Sequence, residues 1–266
     1  MYTVSKYPHG TFSWADNNSR DPEAAKAFYQ ALLGWDKDEM PMGPEMADAT
    51  YTMFKQDGAY TAGMAGMMPE MLEAGVPSHW NNYVTVDDVD ALADVVTSNG
   101  GAILYGPGNV FDSGRMMQIQ DPTGAALGLW QPINHIGAGI VNTVGAMCWN
   151  ELLTKDAVAA QAFYSALFGW EFCADENGYI RILNGGRNNG AMMQLDESFG
   201  QMPSVWQPYF TVADIDESIE RAGNMGGTII IPKTEAPGAG HFAYLSDPAG
   251  AYFYIIQLIQ AEPWEN

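Results

Sequence analysis

A helical motif occurs twice in this chain: residues 21–35 read DPEAAKAFYQALLGW, and residues 156–170 read DAVAAQAFYSALFGW. Each copy opens with aspartate, a residue that caps helix N-termini, and Pro22 suits the first helical position. Apolar residues then recur at helical spacing, and a glycine followed by tryptophan ends the motif. The copies lie 135 residues apart (156 minus 21), which indicates that one structural unit is repeated.

Further motifs repeat downstream in the same order. WNNYVTVDDVD at 80–90 matches WQPYFTVADID at 206–216, and DPTGA at 121–125 matches DPAGA at 247–251. These pairs lie 126 residues apart (206 minus 80), so the second copy is shorter by nine residues (135 minus 126) between its helix and its second motif. Several unlike motifs in one order make chance a poor explanation for the repeat.

Local patterns within each copy predict strands ahead of helices. Residues 11–15 and 82–86 are strand-like, and 115–120 with 125–131 form a hairpin across the turn sequence Asp-Pro-Thr-Gly. The sequence therefore predicts an α+β fold in tandem, with three segments: a first domain at 8–133, a linker at 134–144 and a second domain at 145–262.

Composition restricts the classes of partner. Acidic residues outnumber basic ones by 32 to 11, a net charge of −21 that repels nucleic acid and anionic membranes. Two cysteines, Cys148 and Cys173, are too few for a disulfide framework. No apolar run approaches the roughly 18 residues of a membrane span, and the start of the chain lacks a signal-peptide pattern. We expect a cytoplasmic protein, monomeric or homodimeric, that binds neither nucleic acid nor membrane.

These motifs resemble those of the vicinal oxygen chelate superfamily, which includes glyoxalase I, extradiol dioxygenases and the bleomycin- and fosfomycin-resistance proteins. The resemblance is carried by the helix motif ending in Gly-Trp, by the Val-x-Asp-Val-Asp motif at 86–90, and by Asp-Pro-x-Gly, and all three recur in the second copy. It implies paired βαβββ modules, two per domain and four in all, whose curled mixed sheets surround a concave site.

The resemblance also implies positions for metal ligands, and this sequence departs from the family there. Metal-using members place His or carboxylate ligands at positions that fall here on residues of other types: Trp14, Asn81 and Gly128 in the first copy, and Trp149, Gln207 and Tyr254 in the second. Tryptophan and glycine supply no ligand, and an amide rarely holds a divalent ion alone. We therefore expect no metal site of the family type and no cofactor.

Strand alternation predicts what lines the concave sites instead. If Trp14 and Trp149 face inward, so do the residues two positions away on each strand. The expected lining includes Phe12 and Met147 beside the tryptophans, and Cys148 is expected on the opposite face. The candidate ligand-binding residues are Trp14, Asp16, Asn81, Tyr83, Arg115, Gly128, Trp149, Glu151, Gln207, Tyr209, His241 and Tyr254.

Four residues are candidates for proton transfer: Asp16, Glu151, His241 and Tyr254. Arg115 and His241 occupy equivalent positions, six residues before each Asp-Pro-x-Gly aspartate, where a cation could reach a carboxylate. His241 with Glu151 or Tyr254 is the best acid–base pair that the sequence offers. The same aromatic residues could also be ordinary core.

Three functions fit the sequence. The first is metal-free binding of a small organic molecule, planar or cationic, in an aromatic-lined cleft. The second is a glyoxalase-like lyase or dioxygenase-related enzyme with an atypical metal site or none. The third is a regulatory or scaffolding protein, suggested by a methionine-rich stretch from Met40 to Met71 that includes Met46. We expect the second domain to be the functional one, and the first site to be wider because Gly128 replaces Tyr254.

Overall fold

The computed structural model describes residues 2–43 and 49–260. Met46 of the methionine-rich stretch and residues 261–262 of the expected second domain lie outside them. The described part contains five α-helices and a 3₁₀ turn at Glu197–Phe199, and none of its helices is long and apolar enough to cross a membrane. The helices are α1 (Pro22–Leu33), α2 (Pro69–Glu73), α3 (Ala93–Ser98), α4 (Ala157–Phe168) and α5 (Ile215–Asn224).

The first half of the chain forms one eight-stranded mixed sheet. Its strands are β2 (Thr11–Ser19), β3 (Asp36–Pro41), β4 (Thr50–Gln56), β5 (Ala59–Gly66), β6 (His79–Thr85), β7 (Ala102–Val110), β8 (Gly114–Gln120) and β9 (Ala126–Pro132). They lie side by side in the order β3-β4-β5-β2-β6-β9-β8-β7. The two βαβββ modules meet at the antiparallel pair β2–β6, and each module closes on a parallel pair, β2–β5 or β6–β9.

The second half repeats this topology. Its strands are β11 (Met147–Thr154), β12 (Glu171–Ala174), β13 (Ile180–Asn184), β14 (Arg187–Gln194), β15 (Val205–Thr211), β16 (Thr228–Ala236), β17 (Gly240–Ser246) and β18 (Tyr252–Leu258). Their order, β12-β13-β14-β11-β15-β18-β17-β16, matches the first sheet strand for strand. Between the halves, β1 (Tyr2–Thr3) pairs with β10 (Ile140–Val141). The predicted α+β fold of tandem modules is confirmed.

The repeated helix motif begins and ends as its sequence predicts. The side chain of Asp21 accepts a hydrogen bond from the Ala24 amide, and that of Asp156 accepts one from Ala159. Gly34 and Gly169 end the helices in the left-handed conformation, with φ of 75° and 71°, which glycine adopts without steric cost. Helices α1 and α4 therefore have the same bounds within their repeats.

The hydrophobic cores are shared between the halves. Helix α1 packs in one cluster with β15, α5, β17 and β18, while α4 packs with β6, α3, β8 and β9. Buried hydrogen bonds also connect each helix to the other half of the chain. The Tyr29 hydroxyl donates to Asp247 at 2.9 Å, and the Tyr164 hydroxyl donates to Asp121 at 3.0 Å. The repeated tyrosine and the repeated Asp-Pro-x-Gly aspartate thus join each half to the other, and neither half encloses its helices alone.

Candidate functional site

The opposite face of each sheet curls into a cup. In the first half, side chains from β2, β4, β6, β8 and β9 belong to one cluster. The ring of Phe111, beyond the edge strand β7, lies against Gly43, beyond the other edge strand β3. We call this concave face the first cup, and the equivalent face of the second sheet the second cup.

A buried carboxylate occupies the floor of the first cup. Asp16 accepts hydrogen bonds from the hydroxyls of Tyr51 at 3.0 Å and Tyr83 at 3.1 Å, and from the amide of Asn81 at 2.9 Å. Burial raises the pKa of Asp16, and these three hydrogen bonds oppose the rise. The indole of Trp14 donates to the Tyr51 hydroxyl at 3.0 Å, so the acid, two tyrosines and a tryptophan form one network.

Segments from outside the first sheet cover this cup. Val4 and Tyr7 of the N-terminal segment, with Ala138 and Val141 of the linker, are buried against Trp14, Tyr83 and Trp130. The Tyr7 hydroxyl donates to the Ala138 carbonyl at 2.7 Å, which joins the two covering segments. His135 stands edge-on to Trp14 at 4.8 Å between ring centroids, and burial lowers its pKa to about 4. The first cup is therefore filled by the chain itself.

The second cup repeats the network with a glutamate. The Tyr179 hydroxyl donates to Glu151 at 3.0 Å, and the indole of Trp149 donates to the Tyr179 hydroxyl at 3.1 Å. A hydrogen bond from Tyr209 also reaches Glu151. Burial raises the pKa of Glu151 to about 7, against the opposing effect of the two tyrosines. Glu151 is thus a buried acid that changes its proton occupancy near neutral pH.

Aromatic side chains line the second cup and remain partly exposed at its mouth. The rings of Tyr209 and Tyr254 stack at 4.1 Å between centroids, and Tyr244 stacks on Tyr254 at 4.3 Å. Trp149 and Phe242 pack on these tyrosines while remaining half-buried. Trp149 is therefore half-buried in the second cup, whereas its counterpart Trp14 is buried in the first.

Two polar groups of the second cup are buried without a partner among the described residues. They are Oε1 of Gln207, which lies directly opposite Glu151 across the β11–β15 pair, and the hydroxyl of Tyr244. Their counterparts in the first cup are both hydrogen-bonded, since Asn81 donates to Asp16 and Gln118 donates to the Tyr83 hydroxyl at 3.0 Å. The two cups thus differ in whether the side chains at these two positions have hydrogen-bond partners.

The expected width of the first cup was wrong. A Cβ atom on Gly128 would overlap the ring of Tyr83, which occupies the space that the glycine leaves. The tyrosine at the equivalent position in the second half, Tyr254, stacks beside Tyr209 instead. Gly128 therefore permits close ring packing and does not enlarge the site.

The residues that line the cups at the start of β2 and β11 differ from the prediction because each strand contains a β-bulge. The pairing register shifts between Phe12 and Trp14, and again between Met147 and Trp149. Phe12 and Met147 consequently lie in the shared cores on the helix side, although simple alternation predicted them inside the cups. The second bulge also brings Cys148 against the tyrosines of the second cup, opposite to its expected placement.

Arg115 and His241 face away from the cups, so their predicted roles in the sites were wrong. Met116 and Gln118 point into the first cup, and strand alternation turns Arg115 to the helix side, where it binds Asp90 through two hydrogen bonds of 2.9 and 2.7 Å. His241 likewise alternates with Phe242, which lies in the second cup. The proposed pair of His241 with Glu151 or Tyr254 is therefore not formed.

The structure brings together the other sequence-predicted residues and adds four that the sequence analysis missed. The predicted residues Trp14, Asp16, Asn81, Tyr83 and Gly128 belong to the first cup, and Trp149, Glu151, Gln207, Tyr209 and Tyr254 to the second. Tyr51 and Tyr179 were missed because they lie where the copies differ in length. Gln118 and Tyr244 were accessible to prediction, since they align at the offset of 126 and alternate with Arg115 and His241.

Within residues 2–43 and 49–260, no three His, Cys, Asp or Glu side chains are grouped as a metal ion would require. Each cup network contains a single carboxylate, held by tyrosine hydroxyls in both cases. The chemistry available at these sites is hydrogen bonding, aromatic stacking and, at Glu151, proton exchange.

Comparison with known proteins identifies the same repeat. The sequence model of the Glyoxalase/Bleomycin resistance protein/Dioxygenase superfamily matches residues 12–129, and that of the Glyoxalase-like domain matches residues 147–256. A Mycobacterium tuberculosis protein named "Putative glyoxylase CFP32" is 40% identical over 259 residues, covering 95% of this chain and 97% of that protein. The anthracycline biosynthesis protein DauV of Streptomyces sp. strain C5 is 28% identical over 281 residues, covering 98% of each chain.

Solved structures share the fold at low sequence identity. The Mn(II)-bound glyoxalase from Novosphingobium aromaticivorans superposes with a TM-score of 0.64 at 14% identity, covering 100% of this chain and 86% of that one. The 2,3-dioxygenase LapB from Pseudomonas sp. KL28 superposes with a TM-score of 0.61 at 14% identity, covering 96% and 97%. At this identity the likeness concerns the arrangement of the modules alone.

Proposed function

Because this chain belongs to the glyoxalase/bleomycin resistance protein/dioxygenase superfamily, we propose that it binds a small planar aromatic molecule in its second cup, without a metal ion. One observation carries the proposal. In the second cup Trp149 and Phe242 remain half-buried, and Trp149 is linked to the buried acid through Tyr179, whereas the equivalent Trp14 is buried under the linker and N-terminal segment. Stacking against exposed aromatic faces favours a flat, apolar ligand.

The metal that many superfamily members use does not fit the residues of either cup. The positions that the family resemblance assigns to ligands hold tryptophan, an amide, and glycine or tyrosine in the two halves. An indole nitrogen is a hydrogen-bond donor with no lone pair available to an ion, and here the N–H of Trp14 donates to Tyr51 and that of Trp149 donates to Tyr179. A divalent ion requires several carboxylate or imidazole ligands, and one tyrosine-bound carboxylate does not provide them.

The names of two relatives favour a polycyclic ligand. DauV and DnrV are both named for anthracycline biosynthesis, and each matches 98% of this chain. Anthracyclines are planar fused-ring compounds, and such a ring system matches the stacked tyrosines and the half-buried indole of the second cup. The ligand class that we propose is therefore a fused-ring aromatic molecule, bound by a monomer or homodimer of this chain.

An enzymatic role is a second candidate, and Glu151 is the observation that favours it. Its pKa of about 7 suits a general acid or base at neutral pH, and its two tyrosine partners would orient the carboxyl group. A glyoxalase-like or dioxygenase-related turnover that is unaffected by chelators but lost in Glu151→Gln would establish it. The filled first cup, in contrast, fits a structural role.

Titration with anthraquinone-2-sulfonate, followed by calorimetry in the presence of EDTA, tests the proposal. We expect binding to the wild-type protein that weakens about tenfold or more in Trp149→Ala, since the indole face is lost. The matched variant is Trp14→Phe in the first cup, which should leave the affinity unchanged. Equal weakening in both variants, or no binding to the wild-type protein at any concentration tested, would overturn the assignment.

A further inference from the structure

The most informative difference between the cups concerns two pairs of equivalent positions. Asn81 corresponds to Gln207, and Gln118 corresponds to Tyr244, both at the offset of 126 residues. In the first cup Asn81 donates to Asp16, and Gln118 donates to Tyr83, so their side chains complete the network around the acid. In the second cup, Oε1 of Gln207 and the hydroxyl of Tyr244 have no partner within the described residues.

Both groups are deeply buried. Gln207 is 5% exposed and Tyr244 is 4% exposed, so bulk water does not reach the unpaired atoms freely. A buried polar atom that lacks a partner lowers stability, and folded proteins rarely retain such atoms without a compensating role. The amide nitrogens at these two positions have partners in the first cup, whereas the amide oxygen and the hydroxyl that occupy them in the second cup have none within the described residues.

We propose that Gln207 and Tyr244 determine ligand specificity by binding a hydroxyl group on the aromatic ligand. This inference rests on the function proposed above and refines it from planar aromatics in general to phenols. An amide oxygen accepts a hydrogen bond from an O–H donor, and a tyrosine hydroxyl can both accept and donate. A ligand hydroxyl at either group would replace a missing partner, while a bare ring or an ether would leave Gln207 Oε1 unpaired.

The surroundings of the two groups fit this role. Gln207 lies opposite Glu151 across the β11–β15 pair, so the ligand hydroxyl would approach the buried acid as well. Tyr244 stacks on Tyr254, whose ring in turn stacks on Tyr209, which gives the aromatic part of the ligand an apolar neighbour. The half-buried side chains that pack on these tyrosines, Trp149, Met202 and Phe242, would move aside as the ligand enters.

Two matched probes test the inference at pH 6: 2,6-dihydroxyanthraquinone, whose hydroxyls are too far from the ring carbonyls to bond internally, and 2,6-dimethoxyanthraquinone, which has no donor. We expect the wild-type protein to bind the dihydroxy probe at least about tenfold more tightly. Gln207→Met and Tyr244→Phe keep the shape of each side chain and remove the polar group. Each should reduce this preference to about threefold or less and leave affinity for the dimethoxy probe unchanged.

Thermal melting separates ligand recognition from a structural role. Removing a partnerless polar group should leave the melting temperature of Gln207→Met and Tyr244→Phe unchanged or raised. Gln118→Met, the control in the first cup, loses a hydrogen bond to Tyr83 and should melt at a lower temperature while keeping the wild-type probe preference.

The outcomes distinguish this inference from the proposed function. If both probes bind with equal affinity, or the preference persists in both second-cup variants, the specificity role is wrong and aromatic binding stands. If neither probe binds and anthraquinone-2-sulfonate also fails, the proposed function and the inference fall together. If only Gln118→Met loses the preference for the dihydroxy probe, the ligand hydroxyl is recognised in the first cup, and the inference is overturned.

Discussion

The two cups contain the same frame and use it differently. In each, a tryptophan donates to a tyrosine, that tyrosine donates to a buried acid, and a second tyrosine bonds the acid from the neighbouring strand: Trp14, Tyr51, Asp16 and Tyr83 in the first cup, and Trp149, Tyr179, Glu151 and Tyr209 in the second. The frame itself is therefore common to both halves. What differs is whether the chain fills the remaining space.

The covering of the first cup follows from the connection between the halves. The linker must run from β9 to β11, and it crosses the first cup on the way, where Ala138 donates its amide to the Ser13 carbonyl at 2.7 Å. In the second cup, Trp149 and Phe242 pack on the tyrosine cluster and remain half-buried. Duplication thus supplies two cups, and the connection between the halves covers the first of them.

Truncating the two equivalent tryptophans should give the largest contrast. Trp14 is 5% exposed and packs under the linker, so Trp14→Ala should cost about 3–5 kcal/mol of unfolding free energy. Trp149 is half-buried, and Trp149→Ala should cost about 1–2 kcal/mol while weakening ligand binding about tenfold or more. Urea denaturation followed by circular dichroism measures both changes. Equal losses of stability would show that the second cup is packed as tightly as the first.

The pH dependence of stability should differ when the acid of the second cup is removed. Because the pKa of Glu151 is raised to about 7 in the folded protein, the folded state retains a proton between about pH 4.5 and 7 that the unfolded state releases. Stability therefore falls as the pH rises through this window, by up to about 3 kcal/mol from this group. Glu151→Gln lacks this loss. The difference in unfolding free energy, variant minus wild type, should therefore increase by up to about 3 kcal/mol from pH 5 to pH 8, measured by urea unfolding.

An exposed glutamate provides the control for that comparison. Glu176 lies in the turn before Tyr179, and Glu176→Gln should reproduce the wild-type curve of stability against pH. Asp16 also has a raised pKa, so Asp16→Asn should reduce the slope in the same direction, but without affecting ligand binding. A Glu151→Gln curve parallel to that of wild type would mean that this carboxyl ionises at an ordinary pH in the folded protein.

The repeat made most of the fold predictable from sequence. Two copies of a helix motif, with an aspartate cap and a terminal glycine, fixed the positions of α1 and α4, and the constant offset aligned the two sheets. Alternation along β2 and β6 correctly brought Asp16, Asn81 and Tyr83 together, because side chains of one strand face alternate sides. Local rules were sufficient wherever pairing was regular.

The remaining errors arose where the structure depends on irregular or distant contacts. Because of a bulge in β2 and another in β11, Phe12, Met147 and Cys148 lie on the opposite face of the sheet from the one predicted. No local sequence pattern marks the extra residue of a bulge. The linker has no periodicity, so its packing into the first cup could not be predicted. Helix α1 packs against the second half of the chain, as the hydrogen bond from Tyr29 to Asp247 shows, and this packing depends on how the two complete sheets lie against each other.

Positions 128 and 254 allow a smaller test of how the cups are packed. In Gly128→Ala the new methyl group overlaps the ring of Tyr83, so the ring must shift away from Asp16, at a cost of about 1–3 kcal/mol in stability. Tyr254→Phe keeps the stacked ring and should change stability by less than about 1 kcal/mol, while weakening ligand binding. Thermal melting and calorimetry on the two variants measure this. If Gly128→Ala is as stable as the wild-type protein, the first cup has space for an additional methyl group beside Tyr83.

The smallest effects should come from the two basic residues that the sequence placed in the sites. Arg115 binds Asp90 on the helix side of the first sheet, in a partly exposed pair of a kind that contributes about 0–1 kcal/mol. His241 occupies the equivalent position in the second sheet and alternates with Phe242, so its side chain does not share the cup with Glu151. Arg115→Ala and His241→Ala should therefore change unfolding free energy by no more than about 1 kcal/mol and leave ligand affinity unchanged. Calorimetric titration of both variants decides the point, because a loss of affinity in His241→Ala would show that His241 does act in the second cup, against the facing that strand alternation gives it.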